Sequence, residues 1–301
     1  MLLVPKDMTI YNLKIISSGS NRIELYKVSN YLIRKSGESN NKQGRRGKEE
    51  LSIDEKVGIS KRNRKTTLTN TRNSIIRLIK SNEDMKTFIT LTFEKETDYK
   101  ESKILLNNLF NKLRRKYNNL KYLWVLEFGT KNQRLHYHIL TNIELPKEIN
   151  FARNKERKSE NHKEFERNFS EKYWSYGFVD IRNLDQEGNT NIALYVSCYI
   201  VKDLLDKQLE GYRVYGYSRK TLDKPKVSKV YDDRSLEELL KEFSNDYELK
   251  YTNSYDIGYL DKDNKEHKGI VTYLDLIKKS WGKQYLPQVK KEKDRNIVII
   301  L

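Results

Sequence analysis

The stretch YLWVLEFGTKNQRLHYHILT, residues 122–141, decides the fold of this 301-residue chain. Two runs rich in apolar and β-branched residues flank GTKNQ, which is typical of the turn of a β-hairpin. Alternate side chains of a strand point to opposite faces of the sheet. His136 and His138 therefore lie on one face of the second strand, while Tyr137 and the apolar residues beside the histidines pack into the other face.

The turn sets which residues of the two strands face each other. If Gly129 pairs with Arg134 across the turn, Glu127 lies opposite His136, with Cβ atoms about 5 Å apart. A register shifted by one residue would break this arrangement. Glu127, His136 and His138 thus predict a divalent-cation site with open positions, as a catalytic metal requires. The pattern leaves open a half-buried strand whose histidines form only local hydrogen bonds.

The flanking segments predict a mixed fold. Residues 86–93, KTFITLTF, are strand-like and place Thr90 and Thr92 on one face. Residues 177–184 predict a further strand, and residues 152–174 a solvated helix that carries His162. Apolar spacing predicts helices over residues 69–81, 100–117 and 191–207. This order favours the α+β class, with an antiparallel sheet flanked by helices.

The rest of the chain predicts accessory N- and C-terminal segments. A hairpin is expected around SSGSN, and a second hairpin around residues 260–269, after a helix over residues 235–243. The expected division is residues 1–60 as N-terminal hairpin and basic linker, residues 61–207 as central domain, and residues 208–301 as basic, Tyr-rich accessory region. The tail at residues 297–301 is expected to pair as a strand, since a bare apolar strand invites aggregation.

Charge points to the class of partner. The chain has 59 Lys and Arg against 42 Asp and Glu, a net charge of +17, which is typical of a protein that neutralises nucleic acid. Arg62, Arg64 and Lys65 are candidate phosphate contacts, and a charged, solvated face is the alternative. Arg134, Thr90 and Thr92 are further candidate DNA contacts beside the histidine pair.

Composition also excludes several classes. A single cysteine excludes a disulfide framework and fits a reducing cytoplasm. The chain lacks the phosphate-binding loop G-x-x-x-x-G-K-[ST], so no nucleotide cofactor is expected and unwinding of DNA is assigned to another protein. Apolar runs fall short of the roughly 20 residues that a membrane crossing needs, so no membrane partner is expected.

Residues 191–207 carry a second candidate group of functional side chains. Tyr195, Tyr199 and Lys202 follow spacings of four and three residues, which places them on one helix face. The pair of tyrosines is weak evidence alone, because the chain contains 21 tyrosines. A tyrosine hydroxyl is protonated at neutral pH, so its attack on phosphorus needs a metal ion and a neighbouring cation. Lys202 is the candidate cation.

The segments FITLTF, VLEFGTKNQRLHYHIL and YVSCYIVK resemble, in this order, the three motifs of rolling-circle replication initiators of the HUH endonuclease superfamily. The middle motif is His-hydrophobic-His, here residues 136–138. The third is a tyrosine followed three residues later by lysine, here Tyr199 and Lys202. Tyr195 is similar to the extra tyrosine of the two-tyrosine class of phage and plasmid initiators. The resemblance covers residues 61–230.

The resemblance implies a ferredoxin-like or RRM-like fold and site-specific nicking and rejoining of one DNA strand through a 5′-phosphotyrosine. It implies Mg²⁺ or Mn²⁺ at the histidines, and two tyrosines that alternate as nucleophiles. The implied partners are single-stranded or supercoiled origin DNA, together with the helicase and polymerase of a prokaryotic host. Two alternatives stay open: a relaxase or single-strand transposase of the same superfamily, and a non-catalytic nucleic-acid-binding protein.

Overall fold

A computed structural model describes residues 10–29, 33–34, 69–129, 134–149, 158–184, 192–193, 195–196, 212–260 and 266–279. The strands are β1 (Ile10–Tyr11), β2 (Leu13–Ser18), β3 (Arg22–Ser29), β4 (Ile33–Arg34), β5 (Thr87–Thr92), β6 (Tyr122–Phe128), β7 (Leu135–Thr141), β8 (Val179–Asn183), β9 (Tyr215–Tyr217), β10 (Lys226–Val230), β11 (Tyr247–Leu260) and β12 (Glu266–Lys278). The helices are α1 (residues 69–80), α2 (Tyr99–Lys116), α3 (Glu160–Tyr173) and α4 (Leu236–Phe243), and residues 192–193 and 195–196 are also helical. The predicted α+β class is confirmed.

The chain divides into two compact units. One combines Met1–Arg62 with Pro225–Leu301, and the other is Asn63–Lys224. The second unit ends at Lys224 because β9 pairs with β6 in its sheet, whereas the sequence pattern suggested a boundary at residue 207. The predicted linker over residues 35–48 and the tail at residues 297–301 lie outside the described residues.

The first unit contains an antiparallel sheet of order β10-β2-β3-β12-β11. β2 and β3 form the predicted N-terminal hairpin, with Gly19 at a φ of 65° in the turn, a conformation that glycine adopts without strain. β11 and β12 form the predicted C-terminal hairpin. Leu239 of α4 packs with apolar side chains of both hairpins in one buried cluster.

The second unit contains an antiparallel sheet of order β8-β5-β7-β6-β9 with helices on both faces. On one face, α2 and α3 bury a core that includes Phe110, Trp124 and Tyr137. On the other, α1 and residues 192–196 contribute to a core with Phe88 and Leu123. Both faces are apolar because each strand alternates its side chains between two covered sides.

Helix α3 is not the solvated helix that its charge suggested. His162 is fully buried, and its Nε2 donates to the carbonyl of Ile181 at 2.8 Å. Phe169, Tyr173 and the following Trp174 are also buried. These residues recur at helical spacing inside a charged segment, so one narrow apolar face docks on the sheet while the charged faces stay in water.

Candidate active site

The predicted hairpin register is confirmed. The N–H of Gly129 donates to the carbonyl of Arg134 at 2.8 Å, and Glu127 pairs directly with His136. In an antiparallel ladder, directly paired residues share a face. Glu127, His136 and His138 therefore project from the same side of the sheet.

Threonines of β5 hold the two histidine rings. Thr90 pairs with His138 and Thr92 with His136 across β5 and β7. The Thr90 hydroxyl lies 3.2 Å from Nδ1 of His138, and the Thr92 hydroxyl lies 2.9 Å from Nδ1 of His136. A hydrogen bond at one ring nitrogen fixes the orientation of the other, as in histidines that bind metals through Nε2. Both threonines were predicted as DNA contacts, and the structure places them against the histidines.

Glu127 and His138 are in direct contact. Oε2 of Glu127 lies 2.5 Å from Nε2 of His138, and both residues are 6% exposed. A contact of this length between a carboxylate and an imidazole requires a proton or a cation between them. Among the described residues, no three His, Cys, Asp or Glu side chains are grouped closely enough to hold a metal ion. The structure thus brings two of the three predicted ligands together.

His136 takes a different direction from His138. A Cβ atom on Gly129 would overlap Nε2 of His136, so this ring lies against the backbone where β6 ends. Glycine is required there because the ring occupies the space of a side chain. The third predicted ligand thus stands on the shared face, beside the turn.

Tyr195 lies on the histidine face of the sheet. The Phe88 ring stacks on His138, with centroids 5.6 Å apart, and meets the Tyr195 ring edge-on at 5.2 Å. Tyr195 is partly buried against the core on this side. Tyr199, Lys202, Arg62, Arg64 and Lys65 lie outside the described residues.

Arg182 is a site residue that the sequence analysis missed. It pairs with Phe88 across β8 and β5, and its Nη1 donates to the Tyr195 hydroxyl at 3.3 Å. Its Nη2 forms an ion pair with Asp180 at 2.6 Å, and Asp180 also accepts from Lys158 at 2.5 Å. Strand alternation alone could have put Asp180 and Arg182 on one face, but only the pairing of β8 with β5 puts them on the histidine face.

Comparison with known proteins supports the role that the motifs suggested. Residues 86–204 match a family model described as replication-associated protein, of the ORF2 type. The matched segment begins beside β5 and includes Glu127, both histidines of β7 and both tyrosines of the third motif. This match supports a replication initiator family and indicates a role in replication initiation.

A search of curated proteins and a search of solved structures both found no match. Across the described ranges, none of the helices has the length and apolar character needed to span a bilayer.

Proposed function

We propose that this protein initiates replication by cutting one strand of origin DNA at a specific site and holding the new 5′ end on a tyrosine. One observation carries the proposal. Glu127, the histidine pair and Tyr195 stand on one face of a sheet, inside the region that matches replication-associated proteins. A protein that only bound DNA would not need these groups together.

Glu127, His136 and His138 are the residues that would hold Mg²⁺ or Mn²⁺. Their donor atoms, one carboxylate oxygen and two imidazole nitrogens, suit a catalytic divalent ion. When bound, the ion would polarise a phosphate oxygen and offset developing negative charge. Thr90 and Thr92 support this role, because their hydroxyls engage Nδ1 of each histidine and leave Nε2 as the ligand atom.

The chemical step is a transfer of phosphorus between two oxygen atoms. The hydroxyl of Tyr199 loses its proton and attacks the phosphodiester, and the bond from phosphorus to the 3′ oxygen breaks. The 3′ oxygen takes up a proton, which leaves a 3′-hydroxyl and a 5′-phosphotyrosine ester. The reverse reaction rejoins the strand without ATP. Tyr195 would serve in the second transfer, and Lys202 and Arg182 would stabilise negative charge.

The proposal is tested by looking for the covalent adduct. The full chain is incubated with Mn²⁺ and labelled single strands tiled across the DNA that surrounds its gene, and products are separated on a denaturing gel. The wild type should form an adduct at one sequence, and the variant Tyr195→Phe/Tyr199→Phe should form none. An adduct with this double variant would rule out the tyrosine assignment.

Arg182→Gln tests the missed residue in the same assay. Its charge and its hydrogen bond to the Tyr195 hydroxyl are lost, so strand transfer through Tyr195 should slow while the first cut by Tyr199 persists. Arg167→Gln, an exposed position on α3, is the matched control. Equal strand transfer by the two variants would remove Arg182 from the mechanism.

A non-catalytic DNA-binding protein is the second candidate. The direct contact between Glu127 and His138 favours it, because the contact satisfies two buried polar groups without a metal. This candidate predicts sequence-specific DNA binding that does not respond to Mn²⁺ and no adduct in the wild type.

A further inference from the structure

A second basic site lies on the α2 face of the same sheet, away from the histidines. It is a groove of about 730 Å³ between α2 and the edge formed by β6 and β9, and we call it the β9 groove. Five of its lining side chains are cations, and Asp and Glu are absent from its described lining. These cations are Lys103, Arg114, Arg213, Arg219 and Lys220.

The inner wall of the groove holds a cation away from water. Lys103 Nζ stands 3.6 Å from the centroid of the buried Trp124 ring, a favourable cation–π distance. Burial, with a smaller effect of Arg213, lowers the pKa of Lys103 to about 8. The backbone of Gly216 lies directly against the Trp124 indole, where a Cβ atom would overlap the ring. An anion placed here would replace solvent lost by Lys103.

The outer wall of the groove adds charge that faces water. Arg213, Arg219 and Lys220 are exposed, and the groove also presents the polar side chains of Asn118 and Asn119. Like charges gathered in one cleft raise the local concentration of a polyanion. Because Lys103 covers the Trp124 ring, that ring is not free for base stacking, which favours recognition of backbone phosphates over bases.

We infer that the β9 groove binds the phosphate backbone of duplex DNA, as a contact separate from the histidine face. The inference rests on the proposed function in taking DNA as the polymer. A protein that cuts one strand at its histidine face needs a second surface to hold the uncut duplex beside the site. Cations that line a cleft without reading bases provide such a hold, since phosphate contacts position DNA without specifying sequence.

The test measures equilibrium binding of duplex DNA by the catalytically inactive full chain, Tyr195→Phe/Tyr199→Phe, with EDTA present. A duplex without single-stranded ends reports on the groove, because the histidine face is assigned to unpaired DNA. In this background, Arg219→Gln/Lys220→Gln removes two exposed cations of the groove. The matched control, Lys163→Gln/Arg167→Gln, removes two cations from α3, which packs against β8 at the opposite edge of the sheet.

Each phosphate contact contributes about 0.9 to the slope of log affinity against log salt. Loss of two contacts should therefore lower the slope by about 1.8 and weaken binding roughly thirty-fold at about 0.15 M salt. The control pair should leave the slope near that of the parent. Equal slopes for the groove and control variants would overturn the inference, and so would loss of DNA binding to inorganic phosphate at matched ionic strength, which indicates a small-anion site only.

The result is independent of nicking. If no adduct forms with the wild type but the groove variant loses slope, the groove inference stands and the proposed catalysis fails. If the adduct forms and the groove variant binds like the control, the reverse holds. Thermal unfolding of both pairs of variants checks that the exposed substitutions leave the fold intact.

Discussion

Thr92→Val probes whether the β5 threonines exist to orient metal ligands. Valine has nearly the shape of threonine, so the substitution removes the hydroxyl that lies 2.9 Å from Nδ1 of His136 while strand packing is retained. The lost hydrogen bond contributes about 1 kcal/mol to orientation of the ring. Removing such an outer partner of a ligating histidine typically weakens metal binding by roughly 10- to 100-fold, so we expect Mn²⁺ affinity to fall at least about tenfold.

Thr87→Val is the control for this prediction. Thr87 lies on the same strand but projects to the other face, where its hydroxyl donates to the carbonyl of Ile143 at 2.5 Å. Its loss leaves a buried carbonyl without that donor and should lower the free energy of unfolding by about 1–3 kcal/mol. Mn²⁺ affinity should stay unchanged.

Mn²⁺ titration followed by calorimetry, together with urea unfolding, separates the two effects. The expected pattern is lower affinity with similar stability for Thr92→Val, and lower stability with normal affinity for Thr87→Val. Wild-type affinity in Thr92→Val would refute the reasoning, because the hydroxyl would then serve only the strand.

Three further predictions follow from single contacts. Gly129→Ala should cost under about 1 kcal/mol in unfolding free energy, since the His136 ring that it meets can rotate, but should weaken Mn²⁺ binding in the same titration. Tyr137→Phe leaves the buried Ser102 hydroxyl without its 2.8 Å partner, and urea unfolding should show a loss of about 1–2 kcal/mol. Lys103 has a pKa lowered from 10.5 to about 8 in the folded chain. The folded chain therefore releases this proton first, and stability should rise between pH 8 and 10.5 relative to Lys103→Met, as seen by thermal unfolding across that range.

Local pattern was enough for the centre of the site. β6 and β7 are joined by a short turn, so Gly129 opposite Arg134 settles the register of every pair along the hairpin. The faces of β5 also followed from alternation, with Thr90 and Thr92 on the histidine side. Where neighbours in sequence are neighbours in space, the pattern of residues carries the geometry.

Pairings between distant segments were not predictable in this way. β3 of the N-terminal hairpin pairs with β12, which unites two ends of the chain that had been expected to form separate segments. β9 joins the central sheet beyond the expected boundary. Since many strands with exposed edges could pair equally well, only the folded packing selects the partner.

The sequence by itself determined the fold class, the hairpin that carries Glu127 opposite His136, and the face shared by the two histidines, because strand alternation and a short turn act over a few residues. Only the tertiary structure decided that His162 is buried, that Arg182 meets Tyr195, and that cations from α2 and the segment around β9 line one groove. Those contacts join residues far apart in the chain, and their energies depend on which elements pack together.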